Sequence, residues 1–234
     1  MILADELIEI LESKKADLKF KNFQEKIINT KLEVIGVKIP ELRNIAKQIC
    51  KKDEDVKFNH QTNKYFECVV LEGFLIAFEK DKKILKEKLE NFFIKMDNWA
   101  VVDMVVSGMN AFKKSVTIDD FNYFKSLLVS KNKFIVRFGI VCFLKFFSDK
   151  KYNDDVIKAL GTINCGEYYV DMAIAWLISE LIIKNSQKAI KIMEKVRVIN
   201  NFNQFVVNKS VQKVCDSYRV SEEIKNELRK MKLK

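Results

Sequence analysis

The chain has 234 residues, of which 48% are hydrophobic, so it is long enough to bury a sizeable core and is not intrinsically disordered. Its 42 lysines and arginines exceed its 32 aspartates and glutamates, which gives a formal net charge of +10. Such an excess favours polyanions or acidic surfaces as partners, although lysines gathered on solvated helix faces explain it equally well. With only 6 glycines and 1 proline, the chain is poor in turn residues, which predicts an all-α fold.

The cysteine and histidine content excludes several classes of site. Five scattered cysteines without a C-x-x-C pair indicate neither a disulfide framework nor a zinc knuckle; we expect them as small core residues in a reducing cytoplasm. Because His60 is the only histidine, we expect no multi-histidine metal site, and any catalysis would use carboxylates, aromatic rings and positive charge without a cofactor. The amphipathic N-terminus is unlike a signal peptide, and no apolar run reaches the ~18 residues of a membrane span. We therefore expect a soluble, cytoplasmic protein.

Apolar residues recur at helical spacing along the whole chain. The two terminal segments are the clearest, and their apolar faces consist of Leu3, Leu7, Ile10 and Leu11 at one end and Val220, Ile224, Leu228 and Met231 at the other. Between them the pattern predicts helices over roughly 20–31, 40–51, 58–79, 82–95, 98–112, 118–130, 133–147, 153–162, 167–184, 186–197 and 203–217. Breaks between helices are predicted at Asp97 and at the segments KKSVTIDD, SDKKYNDD, INCG and VINNFN.

The single proline lies in the segment IGVKIPELRNIAK. Gly36 permits a turn and Pro40 suits the first turn of a helix, where its missing N–H would have no partner in any case. The segment therefore predicts a sharp entry into a helix that carries Arg43 and Lys47, four residues apart on one face. These two bases can contact a phosphate backbone or simply lie on a solvated surface.

Internal self-similarity indicates a repeat. The segments NWAVVDMVV, KFIVRFGIV, YYVDMAIAW and FVVNKSVQKV each place one polar residue in an apolar helix: Asp103, Arg137, Asp171 and Asn208, which are 34, 34 and 37 residues apart. A period of this size with two helices per unit is typical of an α-solenoid (superhelix) of HEAT-like helix-pair repeats. We expect one such domain over residues 1–234, with a concave basic groove. The four polar positions then line either that groove or a hydrogen-bond ladder between repeats.

These residues also resemble a known family, the AlkD-like DNA alkylation repair proteins, which are solenoids of HEAT-like repeats. The resemblance is carried in order by GVKIPELRNIAK (36–47), NWAVVD (98–103), FIVRFGIV (134–141), EYYVDMAIAW (167–176) and FNQFVVNKSVQKVCDSYRV (202–220). It spans most of the chain. The chain departs from the family's pattern at Ala100, after Trp99, and at Phe134, where a tryptophan is common. The forms FQEKIINT and EYYVDMAIAW resemble a shorter, divergent subgroup.

The resemblance implies a DNA glycosylase that removes cationic N3- and N7-alkylated purines from duplex DNA, without metal or cofactor and as a monomer. Asp103 then corresponds to the catalytic carboxylate, Trp99 and Trp176 to aromatic walls beside the deoxyribose, and Arg137 to a residue that holds backbone phosphate. Further candidate backbone contacts are Lys38, Arg43, Lys47, Lys133, Lys209, Lys213 and Arg219.

The residue types suit this chemistry. An N-alkylated purine already carries a positive charge, so its glycosidic bond breaks without a general acid. A carboxylate such as Asp103 can stabilise the oxocarbenium-like sugar or orient the attacking water, while indole faces attract the same developing charge. The planar fork of Arg137 can bind a phosphate through two parallel hydrogen bonds.

Other interpretations remain open at this stage. Asp103 can instead form a hydrogen bond or an ion pair between helices, Trp99 and Trp176 can be core residues, and Arg137 can pair with Asp103 or Asp171. As a whole, the chain can be a non-catalytic solenoid that binds nucleic acid, or a protein-interaction scaffold for an acidic partner.

Overall fold

The structure, a computed structural model, describes residues 1–233, and its contacts divide the chain into two compact units, unit 1 (Met1–Ser115) and unit 2 (Val116–Lys234). Unit 1 contains α1 (Ala4–Glu12), α2 (Leu18–Ile28), α3 (Ile39–Lys52), α4 (Phe66–Ala77), α5 (Lys82–Phe92) and α6 (Trp99–Gly108). Unit 2 contains α7 (Ile118–Ser126), α8 (Lys133–Phe146), α9 (Asn153–Leu160), α10 (Tyr168–Lys184), α11 (Ala189–Arg197), α12 (Gln204–Cys215) and α13 (Glu222–Lys230). Across residues 1–233, β-pairing is confined to three isolated bridges, which confirms the all-α prediction.

In unit 1, α4 packs between α3 and α6. Its contact with α6 is close because glycines stand at the crossing: a Cβ added at Gly73 would lie 2.5 Å from Val105 Cγ2, and one at Gly108 would lie 2.9 Å from the Cβ of Ala77. Both helices are apolar on almost every side, as expected of largely buried helices.

In unit 2, α10 packs between α8 and α12. The rings of Phe134 and Tyr169 meet near the start of α8 and α10, while Lys184 and Ser148 hydrogen-bond near their ends, so these two helices run parallel. The shorter helices α7, α9 and α11 precede their long partners in the chain, which gives helix pairs stacked in sequence. Within each unit this is the packing of a HEAT-like α-solenoid. The single domain and the concave basic groove stay predictions.

The predicted helices are present, with one clear error at a boundary. The helix predicted over 58–79 begins at Phe66, because the segment before it is held by side-chain hydrogen bonds. Oδ1 of Asn59 accepts from the backbone N–H groups of Gln61 (2.9 Å) and Thr62 (3.2 Å), and Asn59 N–H donates to the Thr62 hydroxyl (2.9 Å). Such local bonds compete with helix formation. His60 accordingly lies in an exposed turn.

The entry into α3 is as predicted, with a buried carboxylate beneath it. Gly36 has a φ of +100° and Pro40 lies in the first turn of α3. The backbone N–H groups of Ile35, Gly36 and Val37 all donate to the carboxylate of Glu67, at 2.9, 2.7 and 3.2 Å. Glu67 is fully buried, and this burial raises its pKa above the ordinary value of 4.5 although the three donors act in the opposite direction. Glu67 thus fixes the loop before α3 onto α4.

The five cysteines are all free thiols. Cys68 and Cys142 are core residues as predicted, Cys165 and Cys215 are half-buried, and Cys50 is exposed, so the core prediction is wrong for Cys50. Burial raises the pKa of Cys68 and of Cys165 to about 12.

None of the helices described is long and apolar enough to cross a membrane. Within residues 1–233, no group of three or more histidine, cysteine or acidic side chains could hold a metal ion.

Candidate functional site

The start of α6 is fixed by a hydrogen-bond cluster in unit 1. Asn98 is buried and caps the helix, since its Oδ1 accepts from the N–H groups of Ala100 (2.9 Å) and Val101 (3.1 Å). Its Nδ2 donates to Oδ1 of Asp97 at 2.6 Å. The other oxygen of Asp97 accepts from the Thr30 hydroxyl (2.6 Å) and the Lys31 N–H (2.9 Å). The chain after α2 is thereby tied to the first turn of α6.

Trp99, the first residue of α6, is also hydrogen-bonded to the end of α2. Its indole Nε1–H donates to the carbonyl oxygen of Ile27 at 3.2 Å, at the end of α2, and the ring is half-buried. An indole held at its edge by a hydrogen bond and at its backbone by a helix cap has little freedom to rotate. Trp99 is therefore a pre-oriented aromatic surface and not a fully buried core residue.

Asp103 lies one turn after Trp99 on the partly exposed stripe of α6, which Ser107 continues by another turn. Most of the other α6 side chains are buried. Arg43 reaches the end of this stripe: its Nη2 donates to the Ser107 hydroxyl at 2.8 Å, and its guanidinium lies 4.4 Å from the Phe74 ring centroid. The structure thus brings an indole, a carboxylate and a fixed guanidinium onto one surface of unit 1.

In unit 2 the repeat positions connect neighbouring helices. Arg137 is buried, with 6% of its surface exposed, and its Nη1 donates to the backbone carbonyl of Tyr169 in α10 at 2.8 Å. Asp171 is also buried and accepts from the Gly166 N–H (3.1 and 3.2 Å) and from Nδ2 of Asn203 (2.8 Å), the residue that caps α12. Each polar residue thus binds the beginning of the next long helix.

Asn208 completes the series at the end of the described chain. Its Nδ2 donates to the Leu233 carbonyl at 2.9 Å and its Oδ1 accepts from the Leu233 N–H at 2.7 Å, so one side-chain amide binds both backbone groups of one residue. Arg137, Asp171 and Asn208 therefore form a ladder of hydrogen bonds between elements of unit 2. This favours the ladder interpretation for these three positions.

An aromatic and cationic surface lies beside this ladder, on α10 and α12. On α10 the residues Tyr168 (60% exposed) and Trp176 (half-buried) are eight positions apart and share a face. On α12, Phe205 (40% exposed), Lys209 and Lys213 follow one another at intervals of four residues, which places them on one face. The rings of Tyr168 and Phe205 are 6.0 Å apart near the starts of the two helices.

At the other end of the two helices, Arg219, which follows α12, binds Glu180 of α10 through Nη2 at 2.7 Å. The two stripes therefore run side by side. The pKa of Lys213 is lowered, first by burial and then by the nearby positive charges of Lys209 and Arg137, against the opposing effect of Asp216. These cations are close enough to repel one another, and an anion bound there would relieve that repulsion.

The remaining predicted basic residues differ in their surroundings. Lys38 and Lys47 are exposed in unit 1, with Lys38 Nζ 5.8 Å from the Phe20 ring. Lys133 forms an ion pair with Glu167 at 3.3 Å, and Arg219 is occupied by Glu180, which raises the Arg219 pKa. Lys209 and Lys213 lie on the same face of α12 as the exposed ring of Phe205.

The positioning residues escaped sequence reasoning. Asp97 was expected only as a helix break, Asn203 only at the junction of a break and the helix predicted over 203–217, and Glu67 only as a residue of the helix predicted over 58–79. The signal for Asn98 and Asn203 is an asparagine directly before an apolar helical run, which is the common pattern of a helix N-cap. For Glu67 the signal is weaker: one carboxylate in the first turn of an otherwise apolar helix.

The family model described as DNA alkylation repair enzyme matches residues 7–217. No curated protein and no solved structure matched the chain. The family match covers both units, including α6 with Trp99 and Asp103 and α10 with Trp176. The chain therefore belongs to the DNA alkylation repair enzyme family and has a role in DNA repair.

Proposed function

We propose that the protein is a monofunctional DNA glycosylase that hydrolyses the N-glycosidic bond of cationic N3- and N7-alkylated purines in duplex DNA. The observation that carries the proposal is the partly exposed stripe of α6, on which Trp99 and Asp103 lie one turn apart. Membership of a DNA alkylation repair family supports the substrate class.

In the proposed reaction, Asp103 stabilises the positive charge that develops on the deoxyribose as the alkylated base departs, or orients the attacking water. Trp99 presents its ring to the same charge and excludes water, an effect worth about 0.5–2 kcal/mol depending on desolvation. Its hydrogen bond to Ile27 fixes the ring before substrate arrives, so binding energy is not spent on ordering it.

Backbone phosphates are bound, in this proposal, by exposed or half-buried cations on each unit. Arg43 and Lys47 serve in unit 1, and Lys209 and Lys213 in unit 2, next to Trp176 and Tyr168. Arg137 adds positive charge beneath Lys213, while its Nη1 holds the start of α10. Lys38, Lys133 and Arg219 make weaker contacts, since two of them are already paired with glutamates.

The test is release of free 7-methylguanine and 3-methyladenine from methylated duplex DNA, measured by mass spectrometry. Wild type and the control Asp119→Asn, which alters an exposed carboxylate in α7, are expected to release base equally. Asp103→Asn is expected to lose release, because a neutral amide cannot stabilise the sugar cation, while its affinity for unmodified duplex is unchanged. Equal release by all three proteins would refute a catalytic role for Asp103.

A second candidate is a non-catalytic member of the family that binds DNA. The ladder of Arg137, Asp171 and Asn208 favours it, because three of the four repeat positions are used for contacts between elements of the protein. Tight, salt-sensitive DNA binding without any base release above background would select this function.

A further inference from the structure

A small cationic cleft in unit 2 lies where the segments before α9 and α11 meet. Its volume is about 160 Å³, and its charged lining residues are Lys150, Lys151, Asp154, Lys188, Lys191 and Lys195. Five lysines and one aspartate give these lining side chains a formal charge of +4. None of them belongs to α10 or α12, the helices that carry the aromatic and cationic surface.

The charges of the residues that line this cleft are poorly balanced among themselves. Asp154 accepts from Lys195 Nζ at 2.6 Å, which ties α9 to α11 and compensates one of the five lysines. Asp154 is the one carboxylate among the lining residues, which leaves Lys150, Lys151, Lys188 and Lys191 without a second one there. Like charges held around a small space raise the free energy of the empty cleft, and a bound anion lowers it.

The floor of the cleft contains polar groups that are removed from solvent. Asn153 and Asn185 are each 6% exposed, and Oδ1 of Asn153 has no hydrogen-bond partner in the described structure. A buried amide without a partner costs roughly 1–3 kcal/mol. By rotating about its last side-chain bond, Asn153 can turn its Nδ2 donor toward an oxygen in the cleft, where the lysines already favour negative charge.

We propose that this cleft is a phosphate-binding site, separate from the proposed glycosylase surface. The Asn153 amide donates to one phosphate oxygen, and Lys188 and Lys191 supply the compensating charge from the α11 side. The volume suits a phosphate or pyrophosphate group, carried either by a second stretch of DNA backbone or by a small phosphorylated molecule. Both sources present the same chemical group to the cleft, a tetrahedral phosphate with one or two negative charges.

The test is titration calorimetry with inorganic pyrophosphate at constant ionic strength. Wild type is compared with two double variants and one single variant. Lys188→Gln/Lys191→Gln removes two cleft charges, while Lys125→Gln/Lys131→Gln removes two exposed charges of unit 2 outside it and is the matched control. Asn153→Asp changes the buried amide to a carboxylate of nearly equal size. Wild type and the control are expected to bind one pyrophosphate with equal affinity, and the other two variants to bind at least tenfold more weakly.

Asn153→Asp also separates binding from folding. Four lysines would stabilise its new carboxylate, so its melting temperature is expected to stay equal to that of wild type or to rise while anion affinity falls. Absence of pyrophosphate binding to wild type, or equal binding by wild type and Asn153→Asp, would overturn the proposal.

DNA-binding measurements on wild type and the same variants distinguish the two sources of the phosphate. If it is DNA backbone, Lys188→Gln/Lys191→Gln lowers the salt dependence of duplex affinity and pyrophosphate competes with DNA. If it is a small molecule, DNA affinity is the same in all variants. Neither readout depends on base release, so the cleft and the glycosylase proposal can fail separately.

Discussion

Asn203 donates its side-chain amide to Oδ2 of the buried Asp171 at 2.8 Å, and its Oδ1 accepts from the backbone N–H of Val206 at 2.9 Å. One side chain thus caps α12 and binds the carboxylate of α10. The two functions should be separable by stability measurements, because Asn132 caps α8 by accepting from the Phe134 N–H at 2.9 Å but, in the described structure, binds no buried carboxylate.

Asn203→Ala is expected to lower the free energy of unfolding by about 2–4 kcal/mol, since it removes a helix cap and one donor to a buried carboxylate. Asn132→Ala should cost only about 1 kcal/mol, the usual value of a cap alone. Urea denaturation followed by circular dichroism measures both. Equal losses in the two variants would show that the bond to Asp171 contributes nothing.

Glu67 should make stability depend on pH in an unusual direction for a carboxylate. Its pKa is raised in the folded state, so the protonated form is favoured by folding, and its contribution is complete below about pH 4.5 and falls as pH rises through the folded pKa. The stability of wild type minus that of Glu67→Gln should therefore decrease from acidic to neutral pH. Denaturation curves of both proteins at several pH values measure this difference. An increase would mean that the three backbone donors outweigh burial.

Gly139 should not tolerate a side chain. A Cβ there would lie 2.8 Å from the carbonyl oxygen of Phe124 in α7, a backbone atom that cannot move independently. Gly139→Ala is expected to destabilise unit 2 by roughly 1–3 kcal/mol. Gly161→Ala, whose Cβ would meet atoms only at 3.4 Å or more, should change stability by no more than about 1 kcal/mol. The melting temperatures of the two variants test this. A fall in Gly139→Ala alone indicates a steric clash at that position, whereas equal falls in both variants would contradict it.

Lys209 and Lys213 should dominate DNA backbone binding by unit 2. Each lysine that neutralises a phosphate contributes about 0.9 to the slope of log affinity against log salt concentration. Lys209→Gln/Lys213→Gln is therefore expected to make that slope shallower by roughly 1.8, whereas Lys125→Gln/Lys131→Gln should leave it unchanged. Fluorescence anisotropy with a labelled duplex at four salt concentrations measures the slopes. An unchanged slope in the first variant would place the phosphate contacts elsewhere.

Much of the fold could be predicted from sequence because each helix carries its own apolar periodicity. Pro40 and Gly36 defined the entry into α3, and the repeat spacing located the helices α6, α8, α10 and α12. The segment before Phe66 was wrongly predicted to be helical. Apolar periodicity contains no information on the side-chain hydrogen bonds of Asn59, which replace helical backbone hydrogen bonds there. Such local competition is visible only when the donor and acceptor positions are known.

The candidate site was less predictable. The spacing of four residues placed Trp99 and Asp103 on one face, which the structure shows to be partly exposed. Sequence could not show that Arg137 is buried and bound to the Tyr169 carbonyl, because one arginine in an apolar helix suits both a phosphate ligand and an internal bond. Asp97 and Asn98 position Trp99 through residues about 70 positions earlier in the chain, a long-range contact that periodicity does not contain.

The ladder also restricts how this protein can change over generations. Asp171 suits a neighbour that supplies an amide, as Asn203 does, and Asn208 suits a length of chain that returns to it at Leu233. A repeat copied or moved to another position would meet a neighbour with the wrong donor or acceptor, leaving a buried polar group without a partner. The repeats look alike in sequence, yet their order is specified, and the array can lengthen only if these contacts change in matched pairs.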